Sequence, residues 1–256
     1  MYTTNVDKEI ENEIIELNKK LFKIKCEGWH ESVRKGPTGI GKTLENLLDK
    51  EEDRKSLPDY KHFEIKTKKY GSKSYTTLFN LTPHNDSNEN EIKRLVQKYG
   101  YPDKILRNKK ILQNEVYYTS KTLIGNRYYF KLTIKKEKLY ISVYYKNNIL
   151  KEEITYWNIY ELYERLQKKL SYLVVNAIKY TKNNIDFYKY YNYDFYRLKN
   201  ERTFIDLIKD GKIRVKLKIG IYRDGPKKGQ IHDHGTSFEI DEVNIEKLYI
   251  KYVRIN

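Results

Sequence analysis

Near the start of the chain, Ile10, Ile14, Leu17, Leu21 and Ile24 recur every three or four positions between charges. That spacing lines one face and predicts an amphipathic helix. A polar stretch from Cys26 to Lys35 follows, then a glycine-rich loop from Gly36 to Gly41, then a short helix carrying Leu44, Glu45, Leu47 and Leu48. Leu57-Pro58-Asp59 reads as a turn or the start of a strand. Phe63 and Ile65 alternate with His62, Glu64 and Lys66, which is strand periodicity. Thr76 to Leu81 predicts another strand, ending at Pro83-His84, and Glu89 to Tyr99 a helix. Arg127 to Ile134 and Leu139 to Tyr145 flank the polar turn Lys135 to Lys138 and predict a hairpin.

Leu162, Leu166, Leu170, Leu173 and Ala177 fall on one stripe and predict a second long helix over about 158–178. A tyrosine-dense strand follows over Asp186 to Tyr196, then a short helix from Thr203 to Lys209, stopped by Gly211. Ile213, Val215, Leu217, Ile219 and Ile221 alternate with Arg214, Lys216 and Lys218, predicting a strand with one apolar and one basic face. The turn Arg223 to Gly229 leads into a last strand, Ile231 to Ile240. Helices and strands are mixed, so the expected class is α+β or α/β. There is no internal repeat and no low-complexity linker.

Composition turns this pattern toward a partner. The chain has 256 residues, of which 39% are hydrophobic, enough for a real core in one domain of two lobes or two small domains. It carries 51 Lys and Arg against 35 Asp and Glu, a formal net charge of +16. That balance favours a polyanion, either nucleic acid or an anionic membrane surface. A solvated lysine-rich surface is the plain alternative. The 26 tyrosines offer stacking faces with hydrogen-bonding tips. No apolar run approaches the ~20 residues needed to cross a bilayer. The N-terminal residues lack the charged and apolar regions of a secretory signal. Cys26 stands alone, excludes an internal disulfide and is expected as a core thiol. A cytoplasmic setting is the expectation.

Gly36-Pro37-Thr38-Gly39-Ile40-Gly41-Lys42-Thr43 matches the P-loop pattern. A P-loop needs a buried strand before it, so that backbone amides converge on phosphate. Glu27 to Lys35 is no such strand, and no Walker B carboxylate is evident. Three readings stay open for this loop: a nucleotide site, a DNA-phosphate contact through Thr38 and Lys42, and a plain loop leading into a helix.

Asp59 with Glu64-Ile65-Lys66 is the chemically suggestive set. Positions two apart on a strand share a face, so Glu64 and Lys66 point together. Asp59 has the opposite parity and joins them only if the chain turns or bulges before Phe63. Two carboxylates suit Mg²⁺, which prefers oxygen ligands. Such an ion polarises a phosphodiester and activates water. An adjacent ammonium orients that water and offsets developing charge. The pattern alone is weak in a chain this rich in Lys and Glu, where an ion-paired strand surface is the bland alternative.

Two separated blocks strengthen it. The first runs from Gly36 to Leu48 and on through Asp59, Glu64-Ile65-Lys66 and Thr77-Leu78-Phe79. The second is His232-Asp233-His234-Gly235-Thr236-Ser237-Phe238. In order and residues they resemble the MvaI/BcnI family of restriction endonucleases, relatives of the mismatch-repair nicking enzyme MutH within the PD-(D/E)xK nucleases. Residues of about 85–210 match nothing recognisable. The resemblance implies a PD-(D/E)xK core with a second lobe that closes on DNA, placed at 1–180 and 181–256. It implies Asp59 and Glu64 as Mg²⁺ ligands, with the Ile65 backbone carbonyl beside them, and Lys66 as the catalytic lysine. Glu45 corresponds to an extra acidic residue near the metal. His84 and His232 match histidines that lie near DNA. It further implies a monomer that nicks each strand in turn, 5′-phosphate ends, double-stranded DNA as partner and a cognate methyltransferase protecting the same site.

The remaining DNA-contact candidates are Arg214, Lys216, Lys218, Arg223, Asp233, His234 and Glu239. His232 and His234 share a strand face, and neutral histidine can donate or accept at a base edge or phosphate. Too few further ligands have matching spacing for zinc, and a structural turn shaped by Asp233 and Gly235 is the alternative. Glu239 departs from the family, where arginine is usual after the aromatic of this block. A carboxylate accepts from cytosine N4, so the family's CC-and-GG-rich recognition does not carry over. The rival functions are a P-loop NTPase, a non-catalytic nucleic-acid-binding protein and a MutH-like repair nickase.

Overall fold

The structure is a computed structural model that describes residues 5–48, 62–72, 75–85 and 90–252. In chain order its elements are α1 (Asn5–Glu27), β1 (Trp29–Glu31), α2 (Gly39–Leu47), β2 (Phe63–Lys69), β3 (Tyr75–Asn80), α3 (Glu91–Tyr99), β4 (Tyr101–Pro102) and β5 (Lys110–Val116). Then come β6 (Thr122–Ile124), β7 (Tyr128–Lys135), β8 (Lys138–Tyr145), β9 (Leu150–Asn158), α4 (Ile159–Gln167), β10 (Ser171–Lys182) and β11 (Ile185–Leu198). The chain ends with α5 (Arg202–Lys209), β12 (Ile213–Ile221), β13 (Ile231–Asp233), β14 (Ser237–Asp241), a 3₁₀ turn, α6 (Ile245–Leu248) and β15 (Tyr249–Lys251). This is the mixed α/β class that the periodicities predict.

The chain divides into two compact units, one of residues 1–73, 168–199 and 249–256, the other of 74–167 and 200–248. The first holds a five-stranded sheet in the order β1-β11-β10-β2, with β15 also on β11. β10 and β11 form a long antiparallel hairpin, and β2 runs parallel to β10 with Glu64 opposite Tyr172 and Ile65 opposite Leu173. The core joins Leu17, Leu21 and Ile24 of α1 and Leu44 of α2 to Phe63, Leu173, Val175 and Phe195 of the sheet. Burying a side chain the size of leucine or phenylalanine is worth about 1.5–3 kcal/mol. The apolar stripe of α1 therefore holds this helix on the sheet.

The second unit carries a six-stranded sheet in the order β3-β14-β12-β5-β4, with β13 on β12, and a four-stranded meander, β6-β7-β8-β9. The β7–β8 turn holds Lys136 and Glu137 at positive φ, 45° and 59°. That is the twist a two-residue hairpin turn needs.

Three expectations change. The long helix over 158–178 ends at Gln167, and residues 171–182 are strand. The leucine spacing happens to continue across the break. Tyr172, Leu173, Val174 and Val175 are all buried, so both strand faces are covered, and such a run loses its alternation. The expected last strand splits into β13 and β14 at His234–Thr236, where Gly235 adopts φ +83°. The boundary near 180 falls inside β10 of the first unit. A parallel neighbour of β2 requires a crossover, and here the crossover carries residues 74–167 of the second unit.

Candidate active site and nucleic-acid interface

β2 is the end strand of its sheet, and alternation divides its side chains. Phe63 and Ile65 enter the core, while Glu64 and Lys66 face the other way. Lys66 Nζ lies 2.7 Å from Glu64 Oε1. The second carboxylate oxygen, Oε2, accepts from Lys169 Nζ. Lys169 lies just before β10, and the parallel register delivers it to Glu64. The Glu64 side chain is only 11% exposed, so both of its oxygens meet ammonium groups in a largely desolvated setting. Behind them, Tyr172 and Tyr249 pack edge to face at 5.0 Å, and the Tyr249 hydroxyl reaches the Lys169 carbonyl. Burial, with the nearby Glu64 charge, pushes the Tyr249 phenol up and keeps it neutral.

Asp59 lies outside the described residues. Ile65 sits in the middle of β2. Glu45 is on α2, 3.6 Å from Lys42. His62 does not join Glu64. Its Nδ1 lies 2.8 Å from Glu13 Oε2, a buried carboxylate of α1. Among the described residues no three His, Cys, Asp or Glu side chains gather into a metal-holding group. Cys26 is exposed, contrary to the expected core thiol.

The glycine loop lacks the frame of a nucleotide site. The strand before it, β1, has three residues, is not buried and pairs antiparallel with β11. A P-loop strand is buried and feeds straight into the loop. Thr38 stands at the N-cap of α2 without a side-chain cap bond, and its carbonyl accepts from Lys42 N at 3.1 Å. A Cβ on Gly39 would lie 2.5 Å from the Arg34 carbonyl, so close packing explains that glycine.

In the second unit, β12 has the two faces that its alternation predicts, but much of its basic face is paired. Arg214 donates to Glu239 Oε2 from Nε at 3.1 Å and from a terminal nitrogen at 2.9 Å. It also donates to the Tyr117 hydroxyl and lies 3.5 Å from the centre of the Tyr75 ring. Glu239 is 6% exposed, and its other oxygen accepts from Ser237 Oγ at 2.9 Å. A carboxylate so enclosed has no oxygen turned toward a base. The expected cytosine contact by Glu239 does not fit this geometry, and Arg214 is its internal counter-ion. Lys216 Nζ lies 3.3 Å from Glu115. Arg223 donates to the buried Asp103 at 2.9 Å. With two backbone amides, above all that of Leu106, it holds the Asp103 carboxyl down to about 2.

The histidines remain near one another. His232 and His234 have ring centres 4.1 Å apart, and His232 packs on Tyr222 at 4.3 Å. Burial and the neighbouring His232 push His234 down, favouring its neutral form. Asp233 accepts from the Gly235 amide and shapes the turn. His84 is half-exposed and bonded through Nε2 to Glu161 at 2.7 Å.

Lys169 carried no signal in the sequence, where it is one of 51 basic residues. The pairing of β2 with a strand some hundred residues later singles it out.

Comparison with known proteins agrees with the fold. The sequence matches the profile of the MvaI/BcnI restriction endonuclease family over residues 18–249. The structure is similar to that of the restriction endonuclease MvaI in complex with cognate DNA substrate. There the TM-score is 0.83 and the identity 33%, over 93% of this chain and 96% of that one. It is also similar to MvaI in the absence of DNA, with TM-score 0.60 and 31% identity over 98% and 99%. No curated protein matches the sequence. Fold and family together define a site-specific DNA endonuclease. The chain belongs to the MvaI/BcnI restriction endonuclease family.

Proposed function

We propose that this endonuclease hydrolyses DNA phosphodiesters with Mg²⁺, leaving 5′-phosphate and 3′-hydroxyl ends, at a centre formed by Glu64, Lys66 and Asp59. One observation carries the assignment: Glu64 and Lys66, 2.7 Å apart, project together from an end strand, away from the core. The donor set fits a divalent cation, since a nearly buried carboxylate already collects positive charge on both oxygens. Asp59 and Glu64 would hold the ion, with Glu45 and the Ile65 carbonyl nearby. Bound there, it would polarise the phosphate and acidify a water. Lys66 orients the attacking water and offsets charge developing on the phosphate oxygens. Lys169 holds the Glu64 carboxylate in place from the side opposite Lys66.

The second unit is the DNA-recognition lobe in this reading, with Lys218, His232 and His234 among its contacts. Thr38, Lys42 and His84 contribute phosphate contacts. The enzyme acts as a monomer that nicks, reorients and nicks again, alongside a methyltransferase of the same specificity, in the cytoplasm.

Digestion of plasmid DNA with Mg²⁺, followed by sequencing of the ends, tests this. Expected are discrete cuts at one short sequence, 5′-phosphate ends and an open-circular intermediate. Tight binding without metal-dependent cleavage would overturn it. Direct conversion of supercoiled to linear DNA by a 62 kDa species (about twice the 31.0 kDa chain) would overturn the monomer alone.

A further inference from the structure

The buried stripe of α1 is interrupted by a carboxylate. Glu13 lies between Ile10 and Leu17, and its side chain is only 1% exposed. A buried carboxylate is costly unless hydrogen bonds replace the lost water. Here they do. The His62 backbone N–H donates to Glu13 Oε1 at 3.2 Å and to Oε2 at 3.4 Å. Oε2 also lies 2.8 Å from His62 Nδ1.

His62 is the residue just before β2, whose pairing with β10 starts at Phe63 opposite Ser171. In an unbroken strand His62 would share the face of Glu64 and Lys66. Instead its ring turns to α1, which packs on the side where Phe63 and Ile65 enter the core. Two successive residues, His62 and Phe63, thus face the same side, and the alternation slips by one at the entry to β2. Asp59 needs such a slip. In an unbroken strand it has the opposite parity to Glu64. Counted back from His62 in its observed direction, it has the same parity. Asp59 lies outside the described residues and enters here by count along the chain.

We propose that Glu13 is a positioning residue for the metal centre: by gripping the backbone and ring of His62, it fixes the slip that brings Asp59 and Glu64 to one side of the chain. The inference rests on the reading of those two carboxylates as ligands of a divalent cation. Mg²⁺ demands near-ideal octahedral geometry, so the relative placement of its ligands matters. Glu13 stands on the core side of β2, away from Glu64, and acts through His62. Leucine would suit its place on the stripe, and replacing a buried charge by an apolar residue is often neutral for stability. The carboxylate therefore serves geometry at the strand entry more than the packing of α1.

The test compares Glu13→Leu with the wild type in four measurements. These are the unfolding midpoint, DNA affinity without metal, Ca²⁺ affinity of the complex with a duplex carrying the cleaved sequence, and the Mg²⁺ concentration that half-saturates single-turnover cleavage. Midpoint and metal-free DNA affinity should stay near wild type. Ca²⁺ affinity should fall, and the Mg²⁺ requirement rise, by about 10–100-fold, the usual effect of losing a group that orients a metal ligand. His62→Asn, which keeps a side-chain donor near the place of Nδ1, should stay close to wild type. Should Glu13→Leu fail to fold, Glu13→Gln replaces it. Its amide nitrogen cannot accept a hydrogen bond, so the same shift should appear, smaller. Unchanged Ca²⁺ affinity and Mg²⁺ requirement in the folded variant, or a loss of stability alone, would overturn the proposal. A wild type that binds DNA but neither takes up Ca²⁺ nor needs Mg²⁺ would overturn the metal-centre reading instead.

Discussion

β2 and β12 carry the same kind of sequence, apolar positions alternating with charged ones, and do opposite things with it. In β2 the charges converge. Lys66 from the strand and Lys169 from the segment before β10 meet on one carboxylate, Glu64. In β12 the charges disperse. Arg214 meets Glu239 across the sheet, Lys216 meets Glu115, which also lies 4.0 Å from Arg214, and only toward Lys218 does the face open. The alternation tells which side of a strand a charge occupies. The neighbouring strand decides whether that charge is available. Among the described residues β2 has β10 on one side and no strand partner on the other, whereas β12 lies between β14 and β5, which bring Glu239 and Glu115.

The contrast can be tested where it is largest. Lys66→Ala should lower the single-turnover cleavage rate by at least about 10²–10³-fold, the usual loss when one stabilising group is removed from a reacting centre. Binding of cognate DNA should be little changed. Near-normal turnover in folded protein would remove Lys66 from the chemistry and leave the β2 cluster as an ion-paired surface.

Glu239→Ala should act on stability. It leaves the Arg214 guanidinium, 13% exposed, with only the more distant Glu115 carboxylate at 4.0 Å. Breaking a buried pair by deleting one partner costs about 3–5 kcal/mol. Denaturant unfolding should show a lower midpoint for Glu239→Ala, and much of the loss should return in an Arg214→Met, Glu239→Leu double variant. Full stability of the single variant, with changed site preference, would restore Glu239 as a base reader.

Lys169→Met comes next. A group that positions a metal ligand typically contributes 10–100-fold to metal affinity or activity. Titration of the protein with Ca²⁺ should show altered affinity, with Lys169→Arg close to wild type. Unchanged metal binding and unchanged rate would make Lys169 a bystander.

The smallest effect concerns salt. A lysine that neutralises a phosphate contributes ~0.9 to the slope of log K against log salt. Because Arg214 and Lys216 already face acids, replacing either by Gln should change the slope by well under that amount. A full unit for either would mean that DNA draws it away from its internal partner.

These tests also bear on how much could be read in advance. The amphipathic α1, the β7–β8 hairpin, β11, α5 and β12 follow from local periodicity, and the structure has them all. Glu64 and Lys66 lie together because residues two apart on any strand do so. The helix drawn across 158–178 failed where the signal itself fails. A strand buried on both faces has no alternation, and its leucines matched a helical stripe that Leu170, 48% exposed, does not occupy. Cys26 falls just past the buried stripe of α1 and is exposed.

What the sequence determined by itself was local: which segments are helix or strand, which side each charge takes, and the blocks that place the chain among restriction endonucleases. The tertiary structure alone decided the pairings between distant segments. It joined β2 to β10 across some hundred residues and so brought Lys169 to Glu64. It set β14 against β12, so that Glu239 neutralises Arg214 instead of facing outward. The reason is physical. Periodicity is a property of one strand's backbone, whereas the partner of a charge depends on register with another strand, and register is settled only when both strands bury their apolar faces together.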